Sequence, residues 1–411
     1  MTETLLKNAR LVLDDGIVEG HILVKGGVIA AVYLRDQELP VGLADNQQLD
    51  LAGAYLAPGF IDIHIHGSHG IDILEAGPED LLRLAQALLQ EGITGYVPTI
   101  VPINEPEYRR TLAVISKSID IDKSHGRSYS QVLGAHFEGP FVSEKRCGAL
   151  HREFFRTYDG NTASLEIFCD SDGAAKHGDA GGGSPGFCRL MTIAPEIHGG
   201  IELISDLTRA GTRCFIGHTV ADFETLNRAL AAGAVHITHF PNALEPLHNR
   251  RPGAVGWGLL TDGITLDSIA DYHHVHPEVL KLIYRMKGPD RMALISDAIP
   301  PTGLPEGEYI VWGDRIEIKN GKTQLVGSGG GGHEGTIAGS VITLREAVVN
   351  AIGIGIRVHE AIRMASLVPA RAAGLDRRVG SIAVGKLANL TALDEAMNVR
   401  LAIVEGEMRL R

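Results

Sequence analysis

Two histidines alternate with isoleucines in Pro58-Gly59-Phe60-Ile61-Asp62-Ile63-His64-Ile65-His66-Gly67. Side chains at i and i+2 of a strand share a face, so His64 and His66 stand side by side with Asp62 and Phe60. Ile61, Ile63 and Ile65 take the other face and can pack under helices. Paired imidazoles make half of a site for zinc or another first-row divalent ion. The competing reading is a strand with two hydrogen-bonded core histidines, and a bare H-x-H does not decide between them. Four more ionisable residues end apolar runs: Glu138 in Gly134-Ala135-His136-Phe137-Glu138, His218 in Phe215-Ile216-Gly217-His218, His239 in Ile237-Thr238-His239, and Asp297 in Leu294-Ile295-Ser296-Asp297. Each alone fits a satisfied core group. Together they are hard to assign to chance, because an unpaired buried polar group costs about 2–7 kcal/mol. A divalent cation among them would offset that cost.

Eight β-type runs carry or separate these residues, at 60–66, 94–100, 132–138, 190–194, 213–218, 235–240, 264–270 and 292–297. Helical patterns at 77–90, 105–119, 198–210, 221–232, 277–286 and 340–353 alternate with them. Several stop at a glycine (Gly92, Gly211, Gly233), and Pro78 and Pro277 start two more, as helix-end chemistry requires. Alternating β and α predicts a parallel sheet, and eight units predict a (β/α)8 barrel with the six residues at its C-terminal, catalytic face. An open doubly wound sheet is the second choice. Residues 1–57 and the end of the chain are β-rich around Asp14-Asp15-Gly16 and Gly26-Gly27 turns. This predicts a small β-sandwich domain built from both termini: 1–57, then 357–411 after a short helical return, flanking a barrel over 58–356.

A chain of 411 residues is long enough for a barrel with an appendage. The formal charge of −12 argues against a nucleic-acid binder. No apolar stretch reaches membrane-spanning length, and residues 1–7 carry no signal-peptide pattern. Cys147, Cys169, Cys188 and Cys214 form no C-x-x-C pair, so a cytoplasmic protein with reduced thiols is expected. Two glycine-rich segments, 170–186 and 327–335, read as surface loops. Gly380–Lys386 has phosphate-loop spacing, but Leu387 replaces the hydroxyl residue, which marks a chance match.

The P-G-F-I-D-x-H-x-H-G run, the later single histidines and the strand-eight aspartate resemble the amidohydrolase superfamily over nearly the whole chain. Within it, Gly134-Ala135-His136-Phe137-Glu138-Gly139-Pro140, Thr192-Ile193-Ala194-Pro195-Glu196, Gly217-His218-Thr219, Thr238-His239-Phe240-Pro241-Asn242-Ala243 and Ile295-Ser296-Asp297-Ala298 resemble the N-acetylglucosamine-6-phosphate deacetylases. The cyclic-amide branch usually places a carboxylated lysine between two metals; Glu138 can do that work here. The resemblance implies Glu138, His218 and His239 as principal ligands, with His64 and His66 completing a second position. One or two divalent ions are implied, zinc foremost, with iron, manganese or cobalt as the other ions the donors suit. Asp297 would be both ligand and catalytic acid/base, and His151 the group at the acetyl carbonyl. Leu150, His151, Asn242, Ala243, Arg250, His274, Ile337, Ala338 and Gly339 would contact an amino-sugar phosphate. Arg250 would reach a neighbouring subunit's site, which implies a homodimer. Hydrolysis to glucosamine-6-phosphate and acetate is the implied reaction. The alternatives are another amidohydrolase (cyclic-amide, nucleobase or dipeptide) and a sugar-phosphate sensor without turnover.

Overall fold

The computed structural model describes residues 3–410 except 125, 127, 128, 170–186 and 328–331. The first glycine-rich segment and the middle of the second therefore lie outside the described residues. Eight parallel strands form the central sheet: β1 (Phe60–Ile65), β2 (Ile93–Ile100), β3 (Gly134–Glu138), β4 (Cys188–Ile193), β5 (Arg213–Ile216), β6 (His236–Ile237), β7 (Thr265–Ile269) and β8 (Met292–Ile295). Each pairs in parallel with the next. The ring closes just past β8, where Ile65 and Ala298 form a parallel bridge and the Asp297 N–H donates to the His64 carbonyl at 2.9 Å. The (β/α)8 barrel expected from the alternation is present, and β1 and β2 are buried along their whole length.

Helices α1 (Pro78–Gln90), α2 (Glu105–Ser124), α3 (Gly200–Arg209), α4 (Phe223–Ala232), α5 (Gly253–Leu260), α6 (Pro277–Lys287) and α7 (Leu344–Gly353) surround it. In α1, the Asp80 carboxylate accepts from the Gly77 N–H at 2.8 Å and closes the helix start. Leu81, Leu84, Ala85 and Leu88 form its buried stripe. Fully burying each leucine is worth about 1.5–3 kcal/mol. Helix α5 is absent from the sequence reading because its glycines look like loop. They serve close packing instead: a Cβ on Gly258 would lie 2.8 Å from both Ile237 and Phe240. Two short helices follow, α8 (Val358–Met364) and α9 (Leu367–Ala373). They lean on the barrel, where the Ile61 N–H donates to Ala365 at 2.8 Å.

Both termini share one eight-stranded sheet, in which Tyr55–Pro58 pairs antiparallel with Leu390–Leu393 and parallel with Glu3–Leu13. The sheet curls until Val28 bridges Leu387, enclosing a core of Leu6, Leu11, Ile22, Leu56, Leu390 and Ile403. A second antiparallel sheet, Gly307–Val311, Asp314–Lys319 and Lys322–Leu325, follows β8 and has no counterpart in the sequence reading. Among the described residues no helix is long and apolar enough to cross a membrane.

Candidate metal centre and its surroundings

Strands β5, β6 and β8 end two residues earlier than His218, His239 and Asp297, where the sequence pattern had run them on. Each of these three residues has a left-handed backbone, with φ of 46°, 35° and 50°. Non-glycine residues hold that conformation at a cost of about 1–3 kcal/mol each, and such strain clusters at functional sites. Here the turn swings each side chain toward the barrel axis.

The six expected groups meet there, all buried. They form two triads whose ligand atoms lie within 4.8 Å of one another: Glu138, His218 and His239, and His64, His66 and Asp297. Glu138 joins them. Its Oε1 is 3.0 Å from Nε2 of both His218 and His239, while its Oε2 is 3.4 Å from Nε2 of His66. Asp297 Oδ1 lies 3.4 Å and 3.3 Å from Nε2 of His64 and His66.

Hydrogen bonds behind the rings fix which nitrogen faces the centre. His218 Nδ1 donates to the Arg146 carbonyl at 2.8 Å, and His239 Nδ1 to the Asn242 carbonyl at 3.3 Å. Both Nε2 atoms then present lone pairs, only 3.0 Å apart. Two lone pairs and a carboxylate oxygen converge in a buried space, an arrangement that a cation satisfies and neutral groups do not. Burial opposes charge on the His66 ring, yet Asp297 and Glu138 prevail and raise its pKa to about 10. The Glu138 carboxyl is held well below its usual range: burial opposes this, and His64, His218 and His239 overcome it. Asp297 is lowered in the same way, burial being outweighed by His64 and His66. The donor set of imidazole nitrogens and carboxylates fits a divalent first-row ion.

Buried polar groups beneath the centre hold it in place. Asp62 Oδ1 accepts from the N–H of His64 at 3.3 Å and of Ser296 at 3.4 Å, tying β1 to the segment bearing Asp297. Burial, against the Ser296 hydrogen bond, raises its pKa to about 6. Asp267 accepts from the His239 N–H and, at 2.9 Å, pairs with His236. These positioning groups were not singled out from sequence, because their roles depend on cross-strand pairing.

The expected substrate residues lie on segments that follow the C-terminal ends of β3, β6, β7 and β8. The His274 ring is held by Asp271 at 2.7 Å. Asn242 Nδ2 donates to the His239 carbonyl at 3.1 Å, and the Ala243 carbonyl accepts from Thr219 at 3.1 Å. Leu150 is buried, and the loop bearing it passes over His218, where a Cβ on Gly148 would lie 3.5 Å from the ring. Ile337, Ala338 and Gly339 run behind Asp297, whose carbonyl accepts from the Ser340 N–H at 2.7 Å. Arg250 is exposed and, among the described residues, forms no ion pair; neither does Arg251. His151 faces two carboxylates: Nε2 is 3.2 Å from Asp314 and Nδ1 3.1 Å from Glu153. Asp314 belongs to the unforeseen sheet, and Trp312 to the turn just before it, its ring edge-on to His66 with centroids 5.0 Å apart.

The sequence profile of the amidohydrolase family matches residues 313–409. An N-acetylgalactosamine-6-phosphate deacetylase of Escherichia coli O157:H7 is 32% identical, covering 98% of each chain. An N-acetylglucosamine-6-phosphate deacetylase of Bacillus subtilis (strain 168) is 31% identical over 99% of this chain and 98% of its own. The chain belongs to the N-acetylglucosamine-6-phosphate deacetylase family. Solved members superpose over their whole length. The deacetylase of Pasteurella multocida, 28% identical, covers 100% of both chains with a TM-score of 0.85. A mutant from Mycobacterium smegmatis in complex with N-acetyl-D-glucosamine-6-phosphate, 27% identical, also covers 100% of both chains, with a TM-score of 0.84. The terminal sheet, the barrel and the centre described above are thus set in the frame this family shares.

Proposed function

We propose that this chain hydrolyses the N-acetyl group of N-acetylglucosamine-6-phosphate, giving glucosamine-6-phosphate and acetate. The observation that carries this is the pair of buried triads joined by Glu138, with the Asp297 carboxylate facing both histidines of β1 and its end. Glu138, His218 and His239 would hold one divalent ion, zinc first in line; His64, His66 and Asp297 offer a second position. Such an ion, when bound, acidifies water and polarises an amide oxygen.

The chain's own groups do the rest. Asp297 is ionised at neutral pH and can take a proton from attacking water. It returns that proton to the sugar nitrogen, because an amine leaves well only when protonated. His151, held by Asp314 through Nε2, would turn its other nitrogen from Glu153 to the carbonyl oxygen and donate to it as charge develops there. Asn242, Ala243, His274, Leu150 and the 337–339 segment would seat the sugar. Arg250, with its permanently charged fork of donors and no partner in its own subunit among the described residues, suits the phosphate of a neighbouring subunit in a homodimer. Cys169 and Cys214 are free thiols, which suits a cytoplasmic enzyme.

A second reading concerns the sugar alone. A relative at 32% identity is named for N-acetylgalactosamine-6-phosphate, so the C4 epimer is the competing substrate. Acetate release from both epimers, with unphosphorylated N-acetylglucosamine as control, tests the proposal. We expect the gluco 6-phosphate to have the highest kcat/KM. A higher value for the galacto epimer reassigns the sugar, and no release from either phosphate removes the proposal.

A further inference from the structure

The sheet that follows β8 has two tight turns, and they are built differently. Asn320-Gly321 joins Lys319 to Lys322, with φ of 51° and 71°. Asparagine and glycine are the residues this two-residue turn favours. Trp312-Gly313 joins Val311 to Asp314 with φ of 53° and 85°. A bulky aromatic is a poor choice for the first position, since its Cβ crowds the backbone in the left-handed region. Strain accepted at one turn and avoided at the other points to work done by the indole.

The indole touches the centre on one side and a cavity on the other. Its ring stands against His66, 5.0 Å between centroids and 72° between planes. It also lines a cavity of about 350 Å³ with His151, Val101, Ile103 and Phe154. The Trp312 N–H is buried and faces the Asp72 carboxylate without a full hydrogen bond. Two residues on, Asp314 holds His151. The same turn thus grips the residue assigned to the acyl oxygen and walls the space behind it. That space is acidic, with Asp72, Glu75, Glu107 and Glu153 against Arg110. It would repel a phosphate dianion, so the acyl end of the substrate is the end that faces it.

We propose that Trp312 is a specificity-determining residue that limits the substrate's acyl group to acetyl by closing the site off from this cavity. The inference rests on the deacetylase reading. The bond changes are unaltered: the oxygen of water joins the acyl carbon, the C–N bond breaks, the acyl group leaves as a carboxylate and the amine keeps the proton. Only the acyl length admitted would change.

The test compares kcat/KM for the N-acetyl and N-butyryl forms of the amino-sugar 6-phosphate. Trp312→Asn removes the indole while creating the favoured Asn-Gly turn, so folding is not put at risk; Trp312→Phe keeps a ring. An extra methylene is worth about 10–200-fold in discrimination where the wall it meets is apolar, as Val101, Ile103 and Phe154 are here. The wild type should prefer acetyl over butyryl by at least about 100-fold, and Trp312→Asn should shrink that ratio at least about tenfold, with Trp312→Phe in between. A parallel fall on both substrates, or a wild type that already takes butyryl as readily as acetyl, overturns the inference while leaving the deacetylase reading intact. No acetate release by the wild type overturns both.

Discussion

Glu138 is the residue on which both triads depend, with one oxygen toward His218 and His239 and the other toward His66. In Glu138→Gln an amide NH2 must face one of those sets, and its charge is gone. Bound metal and turnover should fall together, read by metal analysis and acetate release; full metal content would show that the histidines suffice. His64→Asn with His66→Asn should be milder if the working ion sits on Glu138, His218 and His239. Asp297→Asn tests a different function. It should keep substrate binding while kcat drops about 10²–10⁴-fold, the usual contribution of a general acid–base group. An equal loss in binding affinity would mean that Asp297 is a ligand only. Arg250→Ala should raise KM for the 6-phosphate far more than for the unphosphorylated sugar, since charge-assisted hydrogen bonds are worth about 1.5–3 kcal/mol. Equal weakening of both would return Arg250 to a structural role or move the phosphate to Arg251.

At the scale of elements, the backbone just past β8 is as specific as the side chains. Gly339 has φ of 57°, and a Cβ there would lie 2.3 Å from Ile299 Cγ2 and 3.1 Å from the Asp297 carbonyl. Gly339→Ala should therefore cost about 1–3 kcal/mol in a urea melt and displace Asp297, lowering kcat. Unchanged stability and turnover would contradict this account of the segment. The barrel was legible in the sequence because parallel strands buried on both faces read as apolar runs, each ending in a polar residue that needs a reason. The left-handed turns at His218, His239 and Asp297 were not legible, since nothing in those residue types demands positive φ. Helix α5 was hidden by glycines used for packing against Phe240 and Ile237. The Gly307–Leu325 sheet did carry a signal: Asn320-Gly321 between alternating residues marks a hairpin. Reading it would have placed Trp312 and Asp314 on a projecting element, though not against His66 and His151, which are distant in sequence.

Across the whole molecule, the centre couples the barrel's stability to its cation. Four histidines and two carboxylates from five strand ends are packed into one buried space. A ligand that binds only the folded state stabilises it by about 2.7 kcal/mol at a hundredfold excess over Kd. Chelation should thus lower Tm, and readdition of zinc, iron, manganese or cobalt should restore it; a Tm indifferent to chelation would argue that the triads hold nothing. The curled terminal sheet joins the ends of the chain by pairing Ala57 with Thr391, beside the strand that carries His64. The most direct test of the account is acetate release from N-acetylglucosamine-6-phosphate by chelated protein, before and after a divalent ion is returned. Activity that vanishes with the metal and comes back with it is the predicted result. Full activity in rigorously metal-free protein would contradict the assignment of the centre and the mechanism built on it.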